Sequence, residues 1–183
     1  CKMTSSSQNN QVYDSSRLNS RNTPFMLRTD TTGVEADDQS TGNNSEIISS
    51  FDTDGFTLGG SGSGPNDSGR TYIAMGWRAN GGTTSSNSDG SITSTVQANT
   101  KAGFSIITYT GTGANATIGH GLTKAPTFVM CKNRDDVDYW GLLHTGSSFG
   151  DATDYLTLPS LSGFNDDSTF WNDTAPTDSV IHL

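Results

Sequence analysis

Three short strings in the first third of the chain return near its end at nearly constant spacing. Val12-Tyr13-Asp14-Ser15 aligns with Leu142-Leu143-His144-Thr145, and Phe25-Met26 with Tyr155-Leu156, both at an offset of 130 residues. Gly55-Phe56-Thr57-Leu58 aligns with Val180-Ile181-His182-Leu183 at an offset of 125. Such self-similarity marks a chain assembled from one supersecondary unit used more than once. Residues 11–58 therefore read as an earlier copy of residues 141–183. The first copy runs on through a Gly/Ser stretch into residues 71–77, which the second copy does not reach. It also lacks a counterpart of residues 104–132. The expected organisation is the C-terminal part of one repeat in 1–80, a Gly/Ser/Thr-rich linker with a short strand in 81–103, and the N-terminal part of the next repeat in 104–183. A chain cut in this way, opening on Cys1, is expected to be an excerpt of a longer polypeptide. The alternative is that residues 71–77 fold back across the linker and close one circularly permuted unit.

The repeated unit is built of strands. Glu35 and Glu46 are the only glutamates, and Lys2, Lys101, Lys124 and Lys132 the only lysines. Those residue types fill solvated helix faces. Ser, Thr, Asn, Asp and Gly take their place, and these bond locally or permit turns. Alternation of apolar residues puts strands at 71–78, 104–110, 127–132 and 139–144, with shorter ones at 24–28, 47–51, 56–58, 94–97, 155–158, 169–171 and 179–183. A weak helical start lies near residues 14–18. Leu, Ile, Val and Phe make up less than a fifth of the chain, which on its own would suit a disordered linker. Charge is modest, however, and the aromatic residues sit inside alternating segments. The fold expected is all-β, an antiparallel β-sandwich of jelly-roll or concanavalin-like type, with Ile73, Met75, Trp77, Phe104, Ile106, Phe128, Val129, Trp140 and Leu142 in its cores.

Charge narrows the functional classes. A net charge of -9 and a pI near 4.4 oppose duplex nucleic-acid binding, which needs a basic stripe against phosphate. No apolar run reaches the length of a membrane-spanning helix, and the N-terminal residues lack a signal-peptide pattern. Cys131, alternating with Val129, reads as a buried free thiol.

Candidate chemistry is sparse. Asp37-Asp38, Asp135-Asp136 and Asp166-Asp167 are adjacent pairs in turn-like sequence. Adjacent residues of a strand point to opposite faces, whereas a glycosidase needs two carboxylates facing one bond. His120, His144 and His182 share no short ligand spacing, and no catalytic residues are assigned. Asp52-Thr53-Asp54-Gly55 matches the opening of a calcium loop without its later ligands, so Asp52 and Asp54 are the metal candidates and Ca2+ the one cofactor to consider. Trp171, after the polar loop 165–168, is the tryptophan expected to be exposed. With Tyr139 it forms the candidate sugar-stacking pair.

The strings Thr71-Tyr72-Ile73-Ala74-Met75-Gly76-Trp77-Arg78, Asp89-Gly90-Ser91-Ile92-Thr93, Ala102-Gly103-Phe104-Ser105-Ile106-Ile107-Thr108-Tyr109, Ile118-Gly119-His120-Gly121-Leu122 and Trp171-Asn172-Asp173-Thr174-Ala175-Pro176 resemble a repeat of marine phage structural proteins. Such repeats look like parts of tail-fibre or virion-appendage proteins of cyanophage and pelagiphage type. The resemblance runs continuously over residues 47–183 and more loosely over the first 46. Met75 departs from it, where related repeats favour an aromatic or Cys-containing strand. It implies a lectin-like sandwich at the virion surface, outside the cell. Its partners would be other virion subunits, further copies of the chain (three in a fibre) and host surface glycan. It carries over no catalytic residues. A glycan-binding lectin module and a glycan-cleaving tail spike are the alternatives. Two carboxylates converging in a groove would favour the spike.

Overall fold

A computed structural model describes residues 2–3, 9–37, 48–59, 65–146, 153–160 and 163–183. Among these the chain is all-β, built from small antiparallel sheets of two or three strands, with no α-helix. It divides into two compact units: Cys1–Gly76 with Asn133–Tyr139, and Trp77–Lys132 with Trp140–Leu183.

The first unit holds three ladders. Strand β1 (Lys2–Met3) pairs with β6 (Tyr72–Ile73), β2 (Gln11–Val12) with β3 (Leu27–Arg28), and β4 (Ile48–Phe51) with β5 (Phe56–Leu58). The turns follow from Asp and Asn side chains. Asp14 Oδ1 accepts from the Ser16 and Arg17 N–H groups, and Asn19 Oδ1 from those of Arg21 and Thr23. Side chains that bond the backbone two or more residues on favour turns over helix, so the helical start near 14–18 becomes a turn. Beyond β3 the Met26 and Ala36 backbones exchange two hydrogen bonds of 3.0 Å. Among the described residues of this unit, Met26, Leu27 and Ile48 are buried apolar side chains.

The second unit has two three-stranded sheets, β7 (Ser85–Asn87), β8 (Ser94–Asn99) and β9 (Phe104–Thr108), and β11 (Phe128–Lys132), β12 (Trp140–His144) and β13 (Leu156–Leu158). A two-stranded ladder joins β10 (Thr117–Gly119) to β14 (Val180–His182). Its core is Ile118, Leu143, Trp171 and Ile181, with Ile107, Val129, Cys131 and Phe170 packed against it. Residues 90–92 run beside β10. The Ile92 N–H donates to Thr117 O at 3.0 Å, and a Cβ on Gly90 would stand 2.3 Å from that oxygen. Only glycine allows so close a backbone approach.

The β12–β13 pair, like β2–β3, is antiparallel and has a double backbone bridge beside it, here between Tyr155 and Asn165 at 2.9 and 3.0 Å. Residues 26 and 36 stand 129 positions before 155 and 165. The backbone thus aligns Met26 with Tyr155, one residue away from the side-chain alignment of Phe25 with Tyr155.

Several expectations are corrected. The strand placed at 71–78 is ordered as a ladder only over Tyr72–Ile73. Ile73, Met75, Trp77 and Phe128, assigned to cores by alternation, are each more than half exposed. Alternation says which residues share a face, not whether a second layer covers it. Phe104, Ile106, Val129 and Leu142 are half-buried and Trp140 is buried. On β12 the fully buried leucine is Leu143, because Gly141 and Leu143 form the face turned to Ile118 and Trp171. Within 81–103 the short strand expected at 94–97 is present as Ser94–Asn99, paired with β7 and β9, while the run 81–90 read as loop holds a further strand, Ser85–Asn87, paired with β8. Residues 169–171 lead into a left-handed turn instead of a strand.

Candidate functional site

The most strongly coupled polar group lies in the first unit. Arg17, buried, donates from Nε to Asp14 and from Nη1 to Glu35. Arg134 grips the same Glu35 carboxylate from Nε and Nη2. Burial alone would raise the Glu35 pKa. The hydrogen bonds and charges of Arg134 and Arg17 outweigh it and hold the carboxyl below its ordinary range. Glu35 in turn raises Arg134, against a smaller opposing effect of burial. Three of the roughly four lone-pair directions of this carboxylate are taken by guanidinium N–H groups, and the same groups hold it ionised. The carboxylate fixes positions. The Glu35 N–H also donates to Arg134 O, and the Asp138 N–H to Thr32 O, so segment Asn133–Tyr139 is tied to residues 32–35 by backbone as well as by charge. Sequence reading missed this network. The one signal for it was a glutamate in a chain whose acids are nearly all Asp.

In the second unit His120 is fully buried. Its Nδ1 accepts from the Leu122 N–H at 3.0 Å, so Nε2 carries the proton and donates to Thr177 O at 3.1 Å. Nδ1 closes the 120–122 turn on itself, and Nε2 ties that turn to Thr177. Tyr109 and Cys131 meet at 3.3 Å between Oη and Sγ, and Cys131 is free of any disulfide. Burial, with Cys131 beside it, pushes the Tyr109 phenol far above its ordinary value.

The residues nominated from sequence do not converge. Trp171, expected to be exposed, is 5 % exposed and belongs to the core of the second unit. Trp171, Asn172 and Asp173 all take positive φ, near 54°, 48° and 46°, and this left-handed turn directs the indole inward. Its Nε1 has no hydrogen-bond partner among the described residues. Tyr139, in the first unit, is half exposed beside Asp138, whose Oδ1 accepts the Tyr139 N–H at 2.8 Å. Asp52 closes the β4–β5 hairpin, accepting from Ser50 Oγ at 2.9 Å and Thr57 Oγ1 at 2.8 Å. Among the described residues no three His, Cys, Asp or Glu side chains stand close enough to hold a metal ion. Asp135 and Asp136 donate their N–H groups to Asn133 Oδ1, which makes that pair part of a turn. Asp167 is exposed and accepts from the Thr169 N–H and hydroxyl, which lower its pKa. Asp38 lies outside the described residues. No helix among those residues is long and apolar enough to cross a membrane.

A family model described as a domain of unknown function, DUF7483, matches residues 1–183. Among curated proteins and among solved structures, no match was found.

Proposed function

The chain belongs to the DUF7483 family, and from that premise we propose that it is a structural module of a virion surface assembly, a segment of a phage tail fibre or appendage outside the cell. The observation that supports this reading is the likeness of two small ladders, β2–β3 with its Met26–Ala36 bridge and β12–β13 with its Tyr155–Asn165 bridge. Modules that recur along one chain suit extended, load-bearing rods, where each unit buries a small core of its own. The short strands, the polar turns and the phage-like strings quoted above agree with that role. We infer further that the sheets of the second unit pack face to face as a lectin-like β-sandwich around Ile118, Leu143, Trp171 and Ile181. The module works by assembly with other virion subunits and with further copies of itself. It performs no catalysis.

A second reading, glycan binding, rests on Tyr139, an exposed aromatic beside a carboxylate. The burial of Trp171 removes the other half of the candidate pair.

Immunogold labelling tests the first reading. Antibodies raised against the recombinant chain should decorate appendages on particles purified from lysates that carry its gene. Label confined to cell debris would sink it. A glycan array probed with the wild-type chain and with Tyr139→Ala tests the second.

A further inference from the structure

Strand β11 is an outer strand of the sheet β11–β12–β13. The Thr145 N–H donates to Thr127 O, and the register continues through Val129↔Leu143 and Cys131↔Gly141. Antiparallel pairs alternate between residues that exchange both backbone bonds and residues that exchange none. Thr127, Val129 and Cys131 therefore turn their backbone groups toward β12, and Phe128 and Met130 turn theirs away. Among the described residues no hydrogen bond reaches the outward N–H or C=O of Phe128 or Met130. Their side chains share the sheet face opposite the core, Phe128 51 % and Met130 39 % exposed. At the other side of this sheet, the chain just before β13 is bridged by Asn165. Among the described residues the β11 edge is open and apolar.

We propose that this edge pairs with the same edge of a second copy of the chain, antiparallel about a two-fold axis at Val129. Phe128 of each copy then faces Met130 of the other, and these two residues exchange all four outward backbone bonds. Each phenyl ring meets a thioether, a favourable contact. Charge does not oppose a second copy here. Two chains of net charge -9 repel, yet residues 121–132 contain no Asp or Glu, and their charges are Lys124 and Lys132. In the antiparallel register the two Lys132 residues stand six positions apart, about 20 Å at strand rise, beyond the Debye length of about 8 Å. Parallel pairing would set them side by side. Pro126, lacking an N–H, ends the new ladder at the place opposite Lys132. A two-fold edge closes at two copies.

Sedimentation velocity of the whole chain over a range of concentrations tests the proposal. The wild type should pass from monomer to dimer. Met130→Lys, which sets like charges near the axis without touching the core, should weaken association about tenfold or more with an unchanged circular-dichroism spectrum. In a Cys1→Ser, Cys131→Ala background, an oxidised mixture of Phe128→Cys and Met130→Cys chains should form more disulfide dimer than either alone. Opposed Cα atoms at about 5.5 Å in such a pair fit a disulfide. A monomeric wild type, a trimer, or Met130→Lys associating as the wild type does would each overturn the proposal. So would disulfide yields independent of position. The test stands apart from immunogold labelling, so a dimer without virion label would sink the fibre reading and keep this one.

Discussion

Arg134 donates from Nε to Glu35 Oε1 at 2.9 Å across 99 positions of sequence. That one pair does for the first unit what a disulfide does in other small domains, since it ties two distant stretches of chain within one body. Several measurable consequences follow from this and from the packing around it.

Replacing Glu35 with Gln should destabilise the chain by about 3 kcal/mol, the lower end for breaking a buried ion pair. The lower end applies because the Arg134 side chain is 40 % exposed and its share is screened. The pH dependence has a definite sign. The folded carboxyl sits below its ordinary value of 4.5, so the stabilisation is complete above that pH and is lost as the pH falls through the folded value. Urea midpoints measured from pH 7 downward should fall in the wild type and fall less in Glu35→Gln.

Gly90→Ala should cost more stability than Gly141→Ala. The first would place a methyl 2.3 Å from a backbone oxygen that already accepts the Ile92 N–H, and neither partner can retreat alone. The second meets Phe170 Cε1 at 3.0 Å, and a ring edge can give by a few tenths of an ångström. A loss of about 3 kcal/mol for Gly90→Ala and about 1 kcal/mol for Gly141→Ala is expected for overpacking of these kinds. Chemical denaturation with intrinsic fluorescence would measure both.

Tyr109 should stay protonated in alkali after exposed tyrosines have ionised. Its folded pKa is raised, so the stability it supports is intact below its ordinary value of 10.0 and drains away as the pH climbs beyond it. Absorbance at the phenolate band should show a delayed step that coincides with unfolding. Tyr109→Phe should remove that step.

Acrylamide quenching should resolve two classes of tryptophan. Trp77 is 67 % exposed, whereas Trp140 and Trp171 are each 5 % exposed. Trp77→Phe should abolish most of the readily quenched emission, and Trp171→Phe should leave it. A single quenching constant for all three indoles would contradict the packing described.

Part of the strand pattern was legible because β-branched and aromatic residues alternate in several of the ladders, though not in Ser85–Asn87. The ladders at Phe56–Leu58, Phe104–Thr108, Phe128–Lys132 and Val180–His182 fall where alternation puts them. Alternation failed at residues 71–78, where Ile73, Met75 and Trp77 are each more than half exposed. It failed again at Trp171, where three left-handed residues reverse the direction a strand would give the ring. The Arg17–Glu35–Arg134 network was invisible for a different reason. Its members are far apart in sequence, and one Glu among many Asp residues says nothing about which cations meet it. The β11 edge needed the phase of the hydrogen bonds, which only the register supplies.

The segment Asn133–Tyr139 belongs to the first unit, although the strands on either side of it, β11 and β12, belong to the second. The chain therefore changes unit three times, after residues 76, 132 and 139. For the gene this is a constraint on inheritance. A recombination crossover between codons 76 and 77 would pass on Glu35 and Arg17 without Arg134, and a buried carboxylate would arrive in its new host missing half of its counter-charge. Neither body is contiguous in the gene, so a cassette that keeps the first intact must reach residue 139, and one that keeps both intact must span residues 1–183.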